Sequence, residues 1–329
     1  MQVTGLVLLA AGAFLQVTSG YWDVYSHRVT FRIFDPWWNP AHISIYIGFA
    51  VALIGSLLEV RRVKLSANLA LLIGPIIAIV GVAVEITAGT WNEIYHIRFT
   101  FEPPIAPAHA LLTIGMIVLN LGAILGLSIR LGIAKESPLY DPRRRHVLTF
   151  SLLASYVAIW LLTAGSTMYV AWVYRDSGGY FQGAIGLAWI TPMVLIPAMR
   201  GVDRFGTATS IGLGYAVVNF MMQVGYLGEE PYVPLGILSA FAFDVAYFGV
   251  KRISTPRIAS MLVGILSGPL LFVTYYPFTP SISTIQWTDS LGFTLVAYTI
   301  AGLISGITGH SVVDGTRSLI LNVTSRVGR

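Results

Sequence analysis

The sequence contains no cysteine. That removes disulfides, thiolate nucleophiles and every zinc or iron–sulfur site built on Cys ligands. Charge is nearly as scarce. Asp, Glu, Lys and Arg make up 11% of the 329 residues, whereas a soluble domain carries about 25%. Low-complexity tracts are absent, and histidine is down to six residues. What fills the space is apolar: 55% of the residues are hydrophobic and the mean hydropathy is +0.74. This composition excludes an ordinary soluble enzyme and points to a membrane protein.

An apolar run of about 20 residues spans a bilayer as a helix. Ten such runs occur, near 3–20, 41–60, 65–88, 108–129, 147–170, 183–199, 207–227, 232–250, 258–277 and 290–309. The first lacks a basic leader and is expected to be a retained span, not a cleaved signal peptide. With a cytoplasmic amino terminus, sixteen of the twenty Lys and Arg fall on inner loops and the carboxyl tail. Arg28, Arg32, Arg98 and Arg175 are the four on the outer side. This asymmetry sets both termini in the cytoplasm. The basic cluster at Arg143, Arg144 and Arg145 reads as a stop-transfer anchor. The net charge of +5 is thus accounted for without a nucleic-acid partner. The expected fold is all-α: a polytopic integral membrane helical bundle of about ten transmembrane helices, arranged as five hairpins in a lipid bilayer.

The longest inner connection, with PLYDPRRRH at its end, divides a front half (1–131) from a back half (147–329). Within the front half the first two hairpins repeat each other. Gly20, Trp22, Asp23 and His27 match Gly89, Trp91, Asn92 and His96 at constant offset. Pro40-Ala41-His42 then matches Pro107-Ala108-His109, and Ile47-Gly48 matches Ile114-Gly115. Four of the six histidines therefore sit at corresponding places. The other two, His146 and His310, have no Asp or Asn four residues upstream and read as interfacial.

Asp23 and His27 are four residues apart, so on a helix they share a face. His42 opens the next span. A carboxylate and two imidazoles can converge at the outer membrane edge, and Asn92, His96 and His109 offer the same arrangement with an amide. Such a set suits copper, zinc or iron and leaves coordination positions open. The carboxylate set is expected to bind more tightly. Ionisable residues at the membrane are functional candidates, whereas the many aromatic residues around them also suit an ordinary interfacial belt.

The stretch YWDVYSHRVTFRIFDPWWNPAHI resembles the metal-binding stretch of the C subunit of copper membrane monooxygenases, the particulate methane and ammonia monooxygenase family. WNEIYHIRFTFEPPIAPAH is similar to the later motif of that subunit. The resemblance covers about residues 20 to 130. It implies one copper site at Asp23, His27 and His42 and another at Asn92, His96 and His109. Arg32 matches the family's arginine, and Glu93 and Glu102 match acidic residues beside its second motif. It also implies dioxygen-dependent hydroxylation of a small substrate, together with partner subunits in the membrane.

Three other readings stay open. A metal carrier would show polar groups continuing across the bilayer below the site, and Glu85 is one candidate. That carboxylate reads either as a partner to the ligands or proton relay, or as a group reaching the interface. Haem ligation would use the four histidines in two pairs. A structural subunit of a membrane complex would use none of them. In the back half, Asn219 and Gln223 read as interhelical hydrogen-bond partners, and Asp244 is expected to pair with Lys251 or Arg252.

Overall fold

The computed structural model describes residues 3–30, 38–63, 70–98, 106–136, 141–173, 179–226, 235–275 and 291–327; for some helix ends, including 25–30 and 96–97, it describes the backbone alone. Ten helices account for nearly all of these: α1 (Thr4–Thr30), α2 (Pro40–Arg62), α3 (Ala70–Arg98), α4 (Pro107–Glu136), α5 (Pro142–Val173), α6 (Gly179–Val202), α7 (Thr207–Tyr226), α8 (Leu235–Lys251), α9 (Pro256–Tyr275) and α10 (Leu291–Val327). Among the described residues no strand occurs. Seven helices, α1 to α6 and α10, are long and apolar enough to cross a membrane. α7, α8 and α9 fall short of that standard within the described residues. The described residues are all-helical, and their seven apolar spans make the chain a multi-pass membrane protein.

The chain forms two compact units, Met1–Leu162 with Thr316–Arg329, and Thr163–Gly315. In the first, α1 packs along α2 and α3 along α4. Lipid supplies no hydrophobic drive for helices to associate, so close packing through small residues takes its place. A Cβ on Gly12 would lie 2.4 Å from the Ala52 nitrogen, and one on Gly81 would lie 2.5 Å from the Leu119 nitrogen. Only a hydrogen in place of a side chain lets these backbones meet.

Toward one end of this unit the carboxylate of Glu59, on α2, lies 3.2 Å from the Arg130 guanidinium on α4. Arg62 adds a second contact at 3.6 Å. Glu59 is only 1% exposed, so the arginine supplies the opposite charge that makes its burial tolerable.

In the second unit, Pro192 sits inside α6. Proline has no N–H to give to the carbonyl four residues earlier, here Ala188. The Ser267 hydroxyl of α9 donates to that carbonyl at 3.3 Å, and the Ser305 hydroxyl of α10 donates to the neighbouring Trp189 carbonyl. The acceptor that Pro192 frees in the membrane is thereby satisfied by an adjacent helix.

Asp244 corrects an expectation. It does not pair with Lys251 or Arg252 but turns toward the start of α7. There it accepts from the Ala208 N–H at 3.2 Å, the Thr209 N–H at 2.8 Å and the Thr209 hydroxyl at 2.7 Å. The first turn of a helix has unpaired N–H groups and a partial positive charge, which compensates a buried carboxylate. Lys251 pairs with Asp203 instead. Asn219 donates within its own helix, to the Tyr215 carbonyl at 3.2 Å, and the side chain of Gln223 lies outside the described residues.

Candidate metal site

The start of α2 is built by its sequence. Asn39 caps the helix, its side chain accepting from the Ala41 N–H at 3.1 Å, and Pro40 takes the first helical position. Proline is pre-set for that position and loses no hydrogen bond there. His42 is therefore fixed in the first turn. α1 continues as helix beyond the apolar run to Thr30, which carries Asp23 up to the same level. His42 Nε2 lies 3.1 Å from Asp23 Oδ1, with both side chains about one-fifth exposed. Two residues of the sequence motif, nineteen positions apart in the chain, are thus brought into direct contact.

That separation fits shared ligation. Metal–nitrogen and metal–oxygen bonds of about 2.0–2.2 Å at a tetrahedral angle place two ligand atoms about 3.4 Å apart. His42 and Asp23 need to open only slightly to admit an ion. The His42 ring is flanked by Tyr46, with centroids 6.4 Å apart. Nearby on α1, the Tyr21 hydroxyl donates to the Leu161 carbonyl at 2.8 Å, which ties this end of α1 to α5.

The second set is laid out on the corresponding elements. Asn92 is half-buried on α3, and its Oδ1 is buried without a hydrogen-bond partner among the described residues. His109 is exposed in the first turn of α4, two residues after Pro107. Glu93 is exposed on α3. The backbone of His27 lies on α1 and that of His96 on α3, while their side chains lie outside the described residues, as do Arg32 and Glu102. Among the described residues no group of three or more His, Asp or Glu side chains is gathered as a metal site. Of the candidate ligands described, Asp23 and His42 are the pair in direct contact.

Glu85 is enclosed by protein. It is 3% exposed and accepts a hydrogen bond from the side-chain amide of Gln16 on α1. The sequence reading passed over Gln16, although an isolated amide in an apolar span is itself a signal. It also passed over Asp314, four residues after His310. That carboxylate contacts His310 Nε2 at 3.0 Å and Arg200 at 2.7 Å, so His310 belongs to a polar cluster rather than to an isolated interface position.

Polar groups therefore recur at three levels of the first unit, half-buried at the first and buried at the other two. Asp23 and His42 form one. Gln16 and Glu85 lie seven residues down α1, about 10 Å along a helix. Glu59 comes eleven residues further, because a Cβ on Gly5 would lie 2.6 Å from its Oε1. Compared with protein-family models, curated proteins and solved structures, the chain matches none.

Proposed function

We propose that the protein is a metal-binding membrane protein, with copper as the metal, related to the C subunit of the particulate methane and ammonia monooxygenases. In this reading α1–α2 and α3–α4 are two copies of one hairpin, and residues 1–131 are the metal-site half. Their histidine-bearing ends face outward, and both termini are cytoplasmic. Asp23, His27 and His42 hold one ion. Asn92, His96 and His109 hold a second or complete a shared centre. Bound copper would supply dioxygen activation for hydroxylating a small substrate. The chain's own contribution is to fix the imidazoles and carboxylate and to surround them with aromatic and apolar groups.

The observation that supports this most directly is the 3.1 Å approach of His42 Nε2 to Asp23 Oδ1. Both were singled out as ligands, and they come from different helices. The test is copper loading of tag-free, detergent-purified protein, read by bound metal and paramagnetic resonance. Nitrogen-coordinated copper should appear in the unaltered protein and be lost in a His27→Ala/His42→Ala variant. Folded protein that retains no copper would remove the ligand assignment.

A second reading is a non-catalytic carrier, favoured by the buried polar groups below the Asp23–His42 level. It predicts metal entry into proteoliposomes without oxygen consumption. The structural-subunit reading predicts neither metal retention nor transport.

A further inference from the structure

The interior of α1–α4 holds more hydrogen-bond acceptors than its donors satisfy. The Gln16 amide donates to Glu85 Oε2, and Asn120 Nδ2 donates to the Met116 carbonyl of its own helix at 2.9 Å. Gln16 Oε1, Glu85 Oε1 and Asn120 Oδ1 are then left buried without a hydrogen-bond partner among the described residues. Gln16 and Asn120 are 0% exposed. All three atoms are acceptors, and unmet acceptors in a dry interior are costly.

Gln16 and Glu85 meet directly, and Asn120 lies five residues along α4 from Gly115, over which Glu85 passes. A Cβ on Gly20 would lie 3.9 Å from the Met116 side chain, and one on Gly126 would lie 3.1 Å from Leu6. α1 and α4 therefore run side by side in opposite directions. One turn from the Gly20–Met116 contact, Gln16 and Asn120 fall opposite each other. Glu85 reaches this level by crossing Gly115, where a Cβ would lie 2.5 Å from its Cγ; Gly48 likewise accommodates Gln16.

Gln16 and Glu85 also occupy corresponding positions in Gly12-x3-Gln16-x3-Gly20 and Gly81-x3-Glu85-x3-Gly89, at the same offset that relates His27 to His96. Corresponding residues of two copies meet each other only at the axis relating them.

Among the described residues no opposite charge serves Glu85. On α1 the nearest ionisable group is Asp23, in contact with His42. On α2 it is His42, in contact with that same Asp23, and Glu59 is held by Arg130 of α4 at the far level. On α3 Glu93 is exposed, and on α4 His109 is exposed.

We propose that Glu85 is a proton-binding site in the membrane interior. Its Oε1 carries an exchangeable proton and donates it to Gln16 Oε1, closing a carboxylic acid–carboxamide pair, with Asn120 Oδ1 as a second acceptor. Binding the proton converts an unmet acceptor into a donor. It also removes a charge that no described side chain compensates. The assignment does not depend on metal binding by Asp23 and His42.

The test is infrared spectroscopy of the full-length protein in lipid at neutral pH, in water and in heavy water. The expected result is a carboxylic-acid C=O band that shifts on deuteration, is lost in Glu85→Gln and moves to higher frequency in Gln16→Leu. Wild type and Glu85→Gln differing only in carboxylate bands would overturn the proposal, because Glu85 would then be ionised beside a bound cation. If Glu85→Gln does not fold, Gln16→Leu decides alone: an unmoved band overturns the assignment.

Discussion

Glu59 and Glu85 are nearly equally buried, at 1% and 3% exposure, and both lie on apolar helices of the same unit. Their surroundings differ in kind. Glu59 has the Arg130 guanidinium at 3.2 Å and Arg62 at 3.6 Å. Glu85 has an uncharged amide. The same side chain is therefore used in two ways, as half of an ion pair near a basic end and as a polar group among amides deeper in the span. Burial does not tell the two apart; the partner does. Guanidinium groups compensate the charge of a buried carboxylate, whereas an amide offers it only a hydrogen bond.

The largest effect expected from this contrast is at Arg130. Arg130→Met leaves Glu59 with only the more exposed Arg62 and should cost about 3–5 kcal/mol, the usual penalty for breaking a buried pair by removing one partner. Replacing both, as Glu59→Met/Arg130→Met, should recover most of that loss. Thermal unfolding in detergent measures both. Equal loss in the single and double variants would show that the pair acts through packing rather than charge.

A smaller effect is expected at the glycine over which Glu85 passes. A Cβ on Gly115 would lie 2.5 Å from Glu85 Cγ and 3.0 Å from its backbone nitrogen. The side chain can shift but the backbone cannot, so Gly115→Ala should cost about 1–3 kcal/mol, as overpacking does. The same unfolding measurement checks it. If Glu85→Ala, combined with Gly115→Ala, restores stability, the strain lies in the side chain; if not, it lies between the helix backbones.

The helical, membrane-spanning character was legible because apolar length and charge asymmetry are written residue by residue. The start of α2 was legible for a similar reason: a Pro-headed helix start acts locally and fixes His42 in the first turn. Gln16 was not legible. An amide in a span signals a hydrogen bond, but its partner lies 69 residues away, and only helix packing chooses it. Asp244 failed in the same way. Nearby Lys251 and Arg252 suggested a local pair, whereas the unpaired N–H groups of α7 lay nearer in space. Local rules placed the ends of helices; they did not choose neighbours across the bundle.

The smallest effect is expected at Glu85 itself, and it is the sharpest check on the contrast. A neutral carboxylic acid and a carboxamide have nearly the same size and shape, and each offers both a donor and an acceptor. In Glu85→Gln the new amide can donate to Gln16 Oε1 and still accept from Gln16 Nε2. Stability should therefore change by less than about 1 kcal/mol, within the range of interhelical hydrogen bonds in membranes. Glu59→Gln is chemically the same substitution, yet it strips Arg130 of its main counter-charge and should fall near the 3–5 kcal/mol of a broken buried pair. The ratio of the two losses, measured side by side in one detergent, reads the charge of each carboxyl. Equal losses would mean that Glu85, too, is an anion.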